Sequence, residues 1–235
     1  MTISYDNLPM YYQTLLDIPM YEGILLLAHD IARPPAAALD HTMTLSGATG
    51  WAQWPLSNLT ICSFVPGTND FLELAALEST DLNFMVGAWS AAIWVFEDTA
   101  ASRYLMCKGT NVIGWYWYVD ANGAIHAVTS QGGPTEQDTF SANGEVTVTT
   151  WWMLGMTRLG TDIALYKNGD LLTVTADTHV DPASAAALKF LVGTDNTEAA
   201  NHWDGYLWRP MVFGRQITAL EMKKIFELTR GLWGV

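Results

Sequence analysis

Three Asn-Gly pairs, Asn122 with Gly123, Asn143 with Gly144 and Asn168 with Gly169, divide the middle of the chain into short segments. Such pairs are typical of the tight turns of β-hairpins, because both central residues of a primed turn take positive φ. Around the first and last pairs we expect antiparallel pairing, between residues 115–120 and 124–129 and between residues 163–167 and 170–174. The turns therefore limit this region to antiparallel β structure.

Hydrophobic patterning predicts more strands on either side of these turns. Residues 89–96 form a near-continuous apolar run, which is expected of a strand whose two faces are both covered. Residues 59–74 fit two strands joined by a tight turn, and residues 151–158 and 188–192 add two more. Many short strands at regular spacing favour an antiparallel sandwich over an α/β fold.

Residues 203–222 combine a turn, a strand and the start of a helix. Gly205 permits the turn, and Pro210 removes one backbone donor from the strand, which predicts a sheet edge or a bulge there. Thr218 and Glu221 have the spacing of a capping box, in which each side chain bonds to the backbone of the other residue. A short C-terminal helix is expected to follow. Its buried face is formed by Met222, Ile225, Phe226 and Thr229.

The charge of the chain and the length of its apolar runs exclude two classes of partner, nucleic acid and membranes. The chain has 11 Lys and Arg against 24 Asp and Glu, a formal net charge of -13, and no basic stripe that would displace counterions from nucleic acid. No apolar run is long enough to cross a bilayer and the N-terminus lacks a secretory pattern, so no membrane association is expected.

Cys62 and Cys107 lie in apolar surroundings and are interpreted as buried free thiols, a disulfide being the alternative.

The first 21 residues differ from the rest and are assigned to an extended N-terminal arm, ahead of one domain at residues 22–235. The arm contains a small echo, in which Pro-Met-Tyr-Tyr at residues 9–12 returns as Pro-Met-Tyr-Glu at residues 19–22. Its apolar residues lack clean periodicity, so we expect a segment that packs on its own domain or on a neighbouring subunit. The candidate contact residues are Met10, Tyr11, Tyr12, Met20 and Tyr21.

No catalytic constellation is assigned from the sequence. Glycoside hydrolysis needs an acid and a nucleophile that face the sugar together, and one strand can provide them when acidic residues stand at alternate positions. Glu73 and Glu78 are separated by an apolar run, and Glu97 with Asp98 is interpreted as a solvated turn, so we assign no such cluster. The sequence also lacks a nucleophile motif and a phosphate-binding loop. We therefore predict neither a catalytic residue nor a cofactor.

Trp115, Tyr116, Trp117 and Tyr118 form the most unusual local run. In a strand the two Trp point one way and the two Tyr the other, so one pair should enter the core while the other lines the outer or concave surface. Aromatic residues there would stack on sugar rings or form a subunit contact. The alternative is that packing covers both faces. All four are candidate binding residues.

The order of several segments resembles a known family. In chain order they are residues 64–74, 89–95, 108–109, 151–157, 165–169, 192–193, 203–205 and 217–221. From about residue 23 to residue 228 this order is similar to the laminin-G-like branch of the concanavalin A-like jelly rolls. The resemblance implies an all-β, antiparallel two-sheet sandwich with one concave sheet and the C-terminal helix against its edge.

The resemblance also raises the question of calcium, because relatives hold this ion with loop carboxylates and carbonyls. Five residues of the expected loops have suitable side chains. They are Asp177, Asp181, Asp195, Asn196 and Asp204. Ordinary turns use Asp and Asn equally well, and the five histidines lack metal-ligand spacing, so no metal is assigned.

Jelly rolls of this kind serve as lectins, adhesion modules, glucanases and virion proteins, so the fold does not settle function. A domain with an arm looks most like jelly-roll proteins encoded among tailed-phage structural genes. The leading hypothesis is therefore a non-enzymatic virion protein, in capsid decoration or in the tail or fibre, assembled in the host cytoplasm. It would contact copies of itself, other virion proteins or both, with a surface glycan as a further candidate partner. The alternatives are a lectin-like carbohydrate-binding module and, third, a glycoside hydrolase.

Overall fold

The computed structural model describes residues 14–17, 43–47, 49–57, 59–65, 69–133 and 135–235. Within these ranges the chain forms sixteen strands, two short 3-10 helices and one α-helix, α1 (Ala219–Thr229). The strands in chain order are β1 (Thr14–Asp17), β2 (Thr44–Ser46), β3 (Gly50–Gln53), β4 (Thr60–Phe64), β5 (Phe71–Leu74), β6 (Trp89–Glu97), β7 (Arg103–Gly109), β8 (Ile113–Val119), β9 (Ile125–Gln131), β10 (Glu136–Ser141), β11 (Trp151–Leu159), β12 (Asp162–Lys167), β13 (Asp170–Leu171), β14 (Val174–Ala176), β15 (Phe190–Val192) and β16 (Gly205–Phe213). The 3-10 helices are Ala76–Leu82 and Arg230–Leu232.

The strands form two antiparallel sheets of eight, which confirms the predicted sandwich. The first sheet has the order β13-β12-β11-β6-β16-β4-β3, with β1 paired to β16. The second has the order β14-β10-β9-β8-β7-β15-β5-β2. No helix in the described ranges is long and apolar enough to span a membrane.

The Asn-Gly pairs play three different roles. Asn168 and Gly169 have φ of 52° and 78° and join β12 to β13, so the primed turn predicted here is confirmed. The hairpin of β8 and β9 is also confirmed, but only Gly123 has positive φ, and its N–H donates to the carbonyl of Asp120 at 3.0 Å. A longer turn capped by Asp120 replaces the primed turn. Gly144 lies in the loop after β10 and is not part of a hairpin turn.

The strand predicted at residues 170–174 is divided between the two sheets. Asp170 and Leu171 pair with β12 in the first sheet, whereas β14 begins at Val174 and pairs with β10 in the second. The chain crosses from one sheet to the other in the two residues between them. The prediction of a single strand was wrong because the sequence pattern continues across this change of sheet.

Trp89 and Trp115 establish which side of each sheet faces the core. Trp89 of β6 packs against Trp115 of β8 with ring centroids 4.6 Å apart, and both side chains are fully buried. Because side chains alternate along a strand, the intervening residues of each strand face outward. β6 is buried almost throughout, which confirms that its apolar run is covered on both faces.

The helix α1 covers the outer face of the first sheet. Thr218 and Glu221 form the expected capping box, and all four residues predicted for the apolar face are buried. Thr229 accepts a hydrogen bond from Trp94 Nε1 at 2.9 Å, and Phe226 stacks on the same ring. A Cβ on Gly155 of β11 would lie 2.5 Å from Met222, so the helix sits directly on the sheet. It thus lies across the face of the sheet, not only at its edge.

Pro210 lies within a central strand, between β6 and β4, and the register of β16 shifts between Trp208 and Met211. Arg209 takes a φ of 50° at this shift. Of the two alternatives predicted for Pro210, the bulge is confirmed and the sheet edge is wrong. The missing donor is tolerated because the ladder is already interrupted there.

Both cysteines are buried free thiols, as expected. Cys62 belongs to the main core, whereas Cys107 is on the other face of the second sheet. Burial raises the pKa of both, to about 12 for Cys107.

Part of the predicted arm, Thr14–Asp17, is β1 and pairs with β16. The five candidate contact residues of the arm lie outside the described residues.

A buried histidine forms two hydrogen bonds to strands of the second sheet. His179, in the segment after β14, is fully buried, and its ring nitrogens bond to the hydroxyls of Thr129 and Thr139 at 2.7 and 2.8 Å. Burial, together with the nearby charge of Arg158, lowers the pKa of His179 to about 4. The folded protein therefore holds this imidazole in its neutral form.

We expect the free energy of unfolding to fall as the pH falls from about 6.5 towards 4. In that range the unfolded chain takes up a proton at His179 that the folded chain does not, so stability present above pH 6.5 is lost. Urea unfolding of the wild type and of His179→Gln across this range measures the effect. The difference between the two proteins isolates His179 from the carboxylates, and equal pH dependence in both would contradict the assignment.

Candidate functional site

The structure separates the four aromatic residues of β8 into two pairs. Trp115 and Trp117 point into the core and are fully buried, and Trp115 Nε1 donates to the carbonyl of Leu82 at 2.9 Å. Tyr116 and Tyr118 point to the outer face of the second sheet. Trp115 and Trp117 are therefore removed from the candidate binding residues, because no ligand on the surface can touch them.

Tyr118 belongs to a row of aromatic side chains that crosses four strands. Direct cross-strand partners link Tyr104 to Tyr118, Tyr118 to His126, and His126 to Phe140. Their ring centroids are 5.4, 4.5 and 5.3 Å apart, and the planes of neighbouring rings lie within 18° of each other. All four side chains are half-buried. We call these four residues the aromatic row.

Tyr116 lies beside the row and is anchored more deeply. Its ring is 6% exposed and stacks on Tyr104 at 5.3 Å, and it packs in a small cluster on this face with Phe71, Val128 and others. Its hydroxyl donates to Glu136 Oε1. Burial, reinforced by this carboxylate, raises the pKa of Tyr116, so its hydroxyl remains a donor. The burial of Tyr116 partly agrees with the alternative in which packing covers both faces.

Two carboxylates alternate on β10 and face the same side as the row. Glu136 pairs with Ser130 and Asp138 with Val128, so both stand on the outer face. The interpretation that no strand carries acidic residues at alternate positions is therefore wrong. The next outward residue of β10 is Phe140, however, and the two carboxylates are already bonded, Glu136 by Tyr116 and Asp138 by His126 Nδ1 at 2.8 Å.

His126 lies between two carboxylates as well as between two rings. Its Nδ1 is 2.8 Å from Asp138, and its Nε2 is 3.8 Å from Asp120 Oδ2. Burial opposes the ionisation of Asp120, but hydrogen bonds donated by Ala124 and Asn122 outweigh it and lower the pKa of Asp120. Asp120 is thus a carboxylate at neutral pH, placed where the β8–β9 turn meets the row.

Several polar atoms on this face have no hydrogen-bond partner among the described residues. They are His126 Nε2, Ser130 Oγ, Asp138 Oδ1 and both ring nitrogens of His202, whose ring stacks on Phe71 at 6.3 Å. The hydroxyls of Tyr104 and Tyr118 are not among these buried unpaired atoms. Burying an unpaired polar group costs about 1–3 kcal/mol. Such groups are expected where a ligand or ordered water completes the bonding.

The structure does not bring the calcium candidates together. Asp177 accepts from the N–H of Asp138, Asp181 pairs with Arg158 at 3.0 Å, Asp195 accepts from Thr197 and Asn201, and Asp204 accepts from Thr99. Asn196 is exposed. No group of three or more His, Cys, Asp or Glu within the described ranges could hold a metal ion. These residues hold turns and ion pairs.

Glu97 differs from the solvated turn residue that the sequence predicted. Its side chain is 2% exposed at the end of β6, and burial raises its pKa to about 7, although the N–H of Ala101 at 3.3 Å favours the ionised form. Asp204 is also buried and pairs with Arg103 at 3.6 Å. This polar cluster joins the ends of β6, β7 and β16 and stabilises the fold there.

Because Trp117 points into the core and Tyr118 points outward, truncating them to alanine should lower the free energy of unfolding by different amounts. Trp117→Ala should lower the free energy of unfolding by about 3–5 kcal/mol, because it leaves a cavity in the core. Tyr118→Ala should cost clearly less, because this ring is half-exposed. Denaturant unfolding of both variants makes the comparison. Equal losses would show that Tyr118 is as much a core residue as Trp117.

Comparison with known proteins agrees with this architecture. A family model described as the concanavalin A-like lectin/glucanases superfamily, of laminin G type, matches residues 67–223. No curated protein is similar enough in sequence to match.

Solved structures give the same fold. The binding domain of Paraclostridial Mosquitocidal Protein 1 superposes with a TM-score of 0.70 at 12% identity, over 94% of this chain and 55% of that chain. The receptor-binding domain of botulinum neurotoxin type G gives 0.65 at 13% identity, over 92% and 51%. A botulinum neurotoxin type C structure gives 0.64 at 12% identity, over 92% and 51%. This chain spans about half the length of each, so the likeness concerns the fold alone. By its family match, the chain belongs to the laminin-G-like branch of the concanavalin A-like lectin/glucanase superfamily.

Proposed function

We propose that this protein binds a glycan on the outer face of its second sheet, through the aromatic row together with Tyr116 and Glu136. The observation that carries the proposal is the row itself. Four half-buried rings from four strands are aligned in register on one face. A shared partly apolar surface of this kind marks a binding site more often than scattered exposed residues do.

The first sheet provides the contrast. Its outer face also carries aromatic residues, including Trp94, Trp151 and Trp208, but these are buried beneath α1 and Trp233. At these three positions the apolar surface is removed from water by the chain itself. The aromatic row keeps part of its surface exposed, so a ligand can bury it.

The orientation of the rings determines the kind of contact. Because neighbouring rings stack on each other, their faces are largely occupied, and ring edges and hydroxyls are what a ligand meets. The polar groups here are the hydroxyls of Tyr104 and Tyr118 and the carboxylate of Glu136, which is exposed. A sugar offers hydroxyls for these polar atoms, with each hydrogen bond contributing about 0.5–1.5 kcal/mol.

The comparisons support a binding role without locating the site. The fold resembles non-enzymatic binding domains, and the neurotoxin type C structure concerns cell entry that depends on interaction with two ganglioside molecules. Glu136 and Asp138 have the alternation that glycoside hydrolysis can use, but each is already bonded to a neighbouring side chain. Binding therefore explains the face better than hydrolysis does.

The test is titration calorimetry with neutral oligosaccharides. We expect Tyr118→Ala to weaken binding about tenfold, which corresponds to about 1.4 kcal/mol. Tyr118→Phe should lose less, because it keeps the ring and removes only the hydroxyl. The heat signal of each variant is compared at equal folded fraction.

Tyr206→Ala is the matched control. Tyr206 is also half-buried, but it packs on Trp54 and Phe96 at the outer face of the first sheet. Its truncation should leave glycan affinity unchanged. The proposal fails if no glycan binds, or if Tyr206→Ala weakens binding as much as Tyr118→Ala.

We further propose, from the family resemblance, that the protein is a virion component that associates with itself or with other virion proteins through its arm. Light scattering of the whole chain and of a form lacking residues 1–21 tests this. Association should be lost with the arm. A monomer in both forms would refute self-association through the arm.

A further inference from the structure

The charges around the aromatic row are of one sign. The outward positions of β7 to β10 contain Glu136 and Asp138 and no Lys or Arg, and Asp120 adds a third carboxylate at the β8–β9 turn. The lysine of β7, Lys108, points inward, where it is fully buried and donates to Ser79 Oγ at 2.8 Å. No fixed positive charge therefore stands on this part of the sheet.

The basic side chains at the margin of this face form ion pairs with residues other than Glu136, Asp138 and Asp120. Arg103 pairs with Asp204 and donates to the carbonyl of His202 at 2.6 Å. Lys189 bonds to Glu73 at 2.7 Å and to Glu198 at 2.9 Å. Among the described residues of β7 to β10, His126 is the one basic side chain at an outward position, and it lies between Asp120 and Asp138.

We propose that the ligand of this face is a glycan that carries amino groups, such as a glucosamine oligosaccharide, and not a sialylated or sulfated one. The inference rests on the proposed glycan-binding function and names the chemical class of its ligand. A protonated amine bound 4 Å from a carboxylate near a protein surface gains up to about 4 kcal/mol of Coulomb energy before desolvation, and an anionic sugar meets repulsion of the same size.

Two carboxylate oxygens on this face, Glu136 Oε2 and Asp138 Oδ1, have no hydrogen-bond donor among the described residues. Tyr116 bonds to Oε1 of the exposed Glu136, and Oε2 has no donor among the described residues. Asp138 receives His126 at Oδ2, while Oδ1 is buried and unpaired. An ammonium group has three N–H donors and no acceptor, so it suits such a site better than a hydroxyl does.

The experiment compares two ligands with the same backbone. A glucosamine oligosaccharide and its fully N-acetylated counterpart of equal length are titrated at about pH 6, where a sugar amine is protonated. We expect the amine form to bind at least tenfold more tightly. Glu136→Gln, which keeps an acceptor for Tyr116, should remove most of that advantage, because it removes the charge that attracts the amine.

Non-specific attraction of a cationic sugar to a chain of net charge -13 needs its own control. Glu78→Gln removes one exposed carboxylate outside this face and should leave both affinities unchanged. If Glu78→Gln weakens binding of the amine form as much as Glu136→Gln does, the attraction is general and the inference is wrong.

The remaining outcomes separate the two proposals. If the N-acetylated sugar binds as well as the amine form, or if a sialylated oligosaccharide binds better than both, the amino-sugar inference fails while glycan binding stands. If neither these sugars nor the neutral panel bind, the proposed glycan-binding function fails, and this inference fails with it.

Discussion

The contact of Trp89 with Trp115 across the two sheets fixes the direction of nearly every other side chain in the sandwich. A strand has only two faces, so once one residue is committed to the core the alternate residues must face outward. In β6 this commitment sends Trp94 outward beneath α1, and in β8 it sends Tyr116 and Tyr118 outward. Slipping β8 by one residue would bury the tyrosines and expose two tryptophans, at a large hydrophobic cost. The register is therefore strongly specified.

The fold was largely readable from sequence because its signals are local. The capping box of Thr218 and Glu221, the turn at Asn168 and the covered run of β6 each depend on a few neighbouring residues. Turn type at Asn122 was not readable, because the side chain of Asp120 caps that turn and competes with the primed conformation. The division between β13 and β14 was also missed, since a change of sheet leaves no mark on the hydrophobic pattern.

The candidate site was only half readable. Tyr116 and Tyr118 stood out as a local run, but Tyr104, His126 and Phe140 join them only through the registers of β7, β9 and β10. One of these registers shifts between Tyr104 and Met106, which sequence spacing cannot reveal. Glu136 and Asp138 alternate in the sequence, but their segment has no apolar pattern that would identify it as a strand. The structure shows that it is β10, a polar strand with one solvent-facing side.

The stacking within the row has a consequence for recognition. An isolated exposed ring offers its whole face to a sugar, whereas rings that stack on one another offer edges and hydroxyls. Tyr118 and His126, at 4.5 Å, are the most closely stacked pair, so selectivity at the centre of the row must come from polar atoms. Those atoms are hydroxyls and carboxylates, which accept hydrogen bonds more readily than they donate them. A face of this kind discriminates between ligands by the donors they bring, and charge on the ligand then matters more than the shape of its rings.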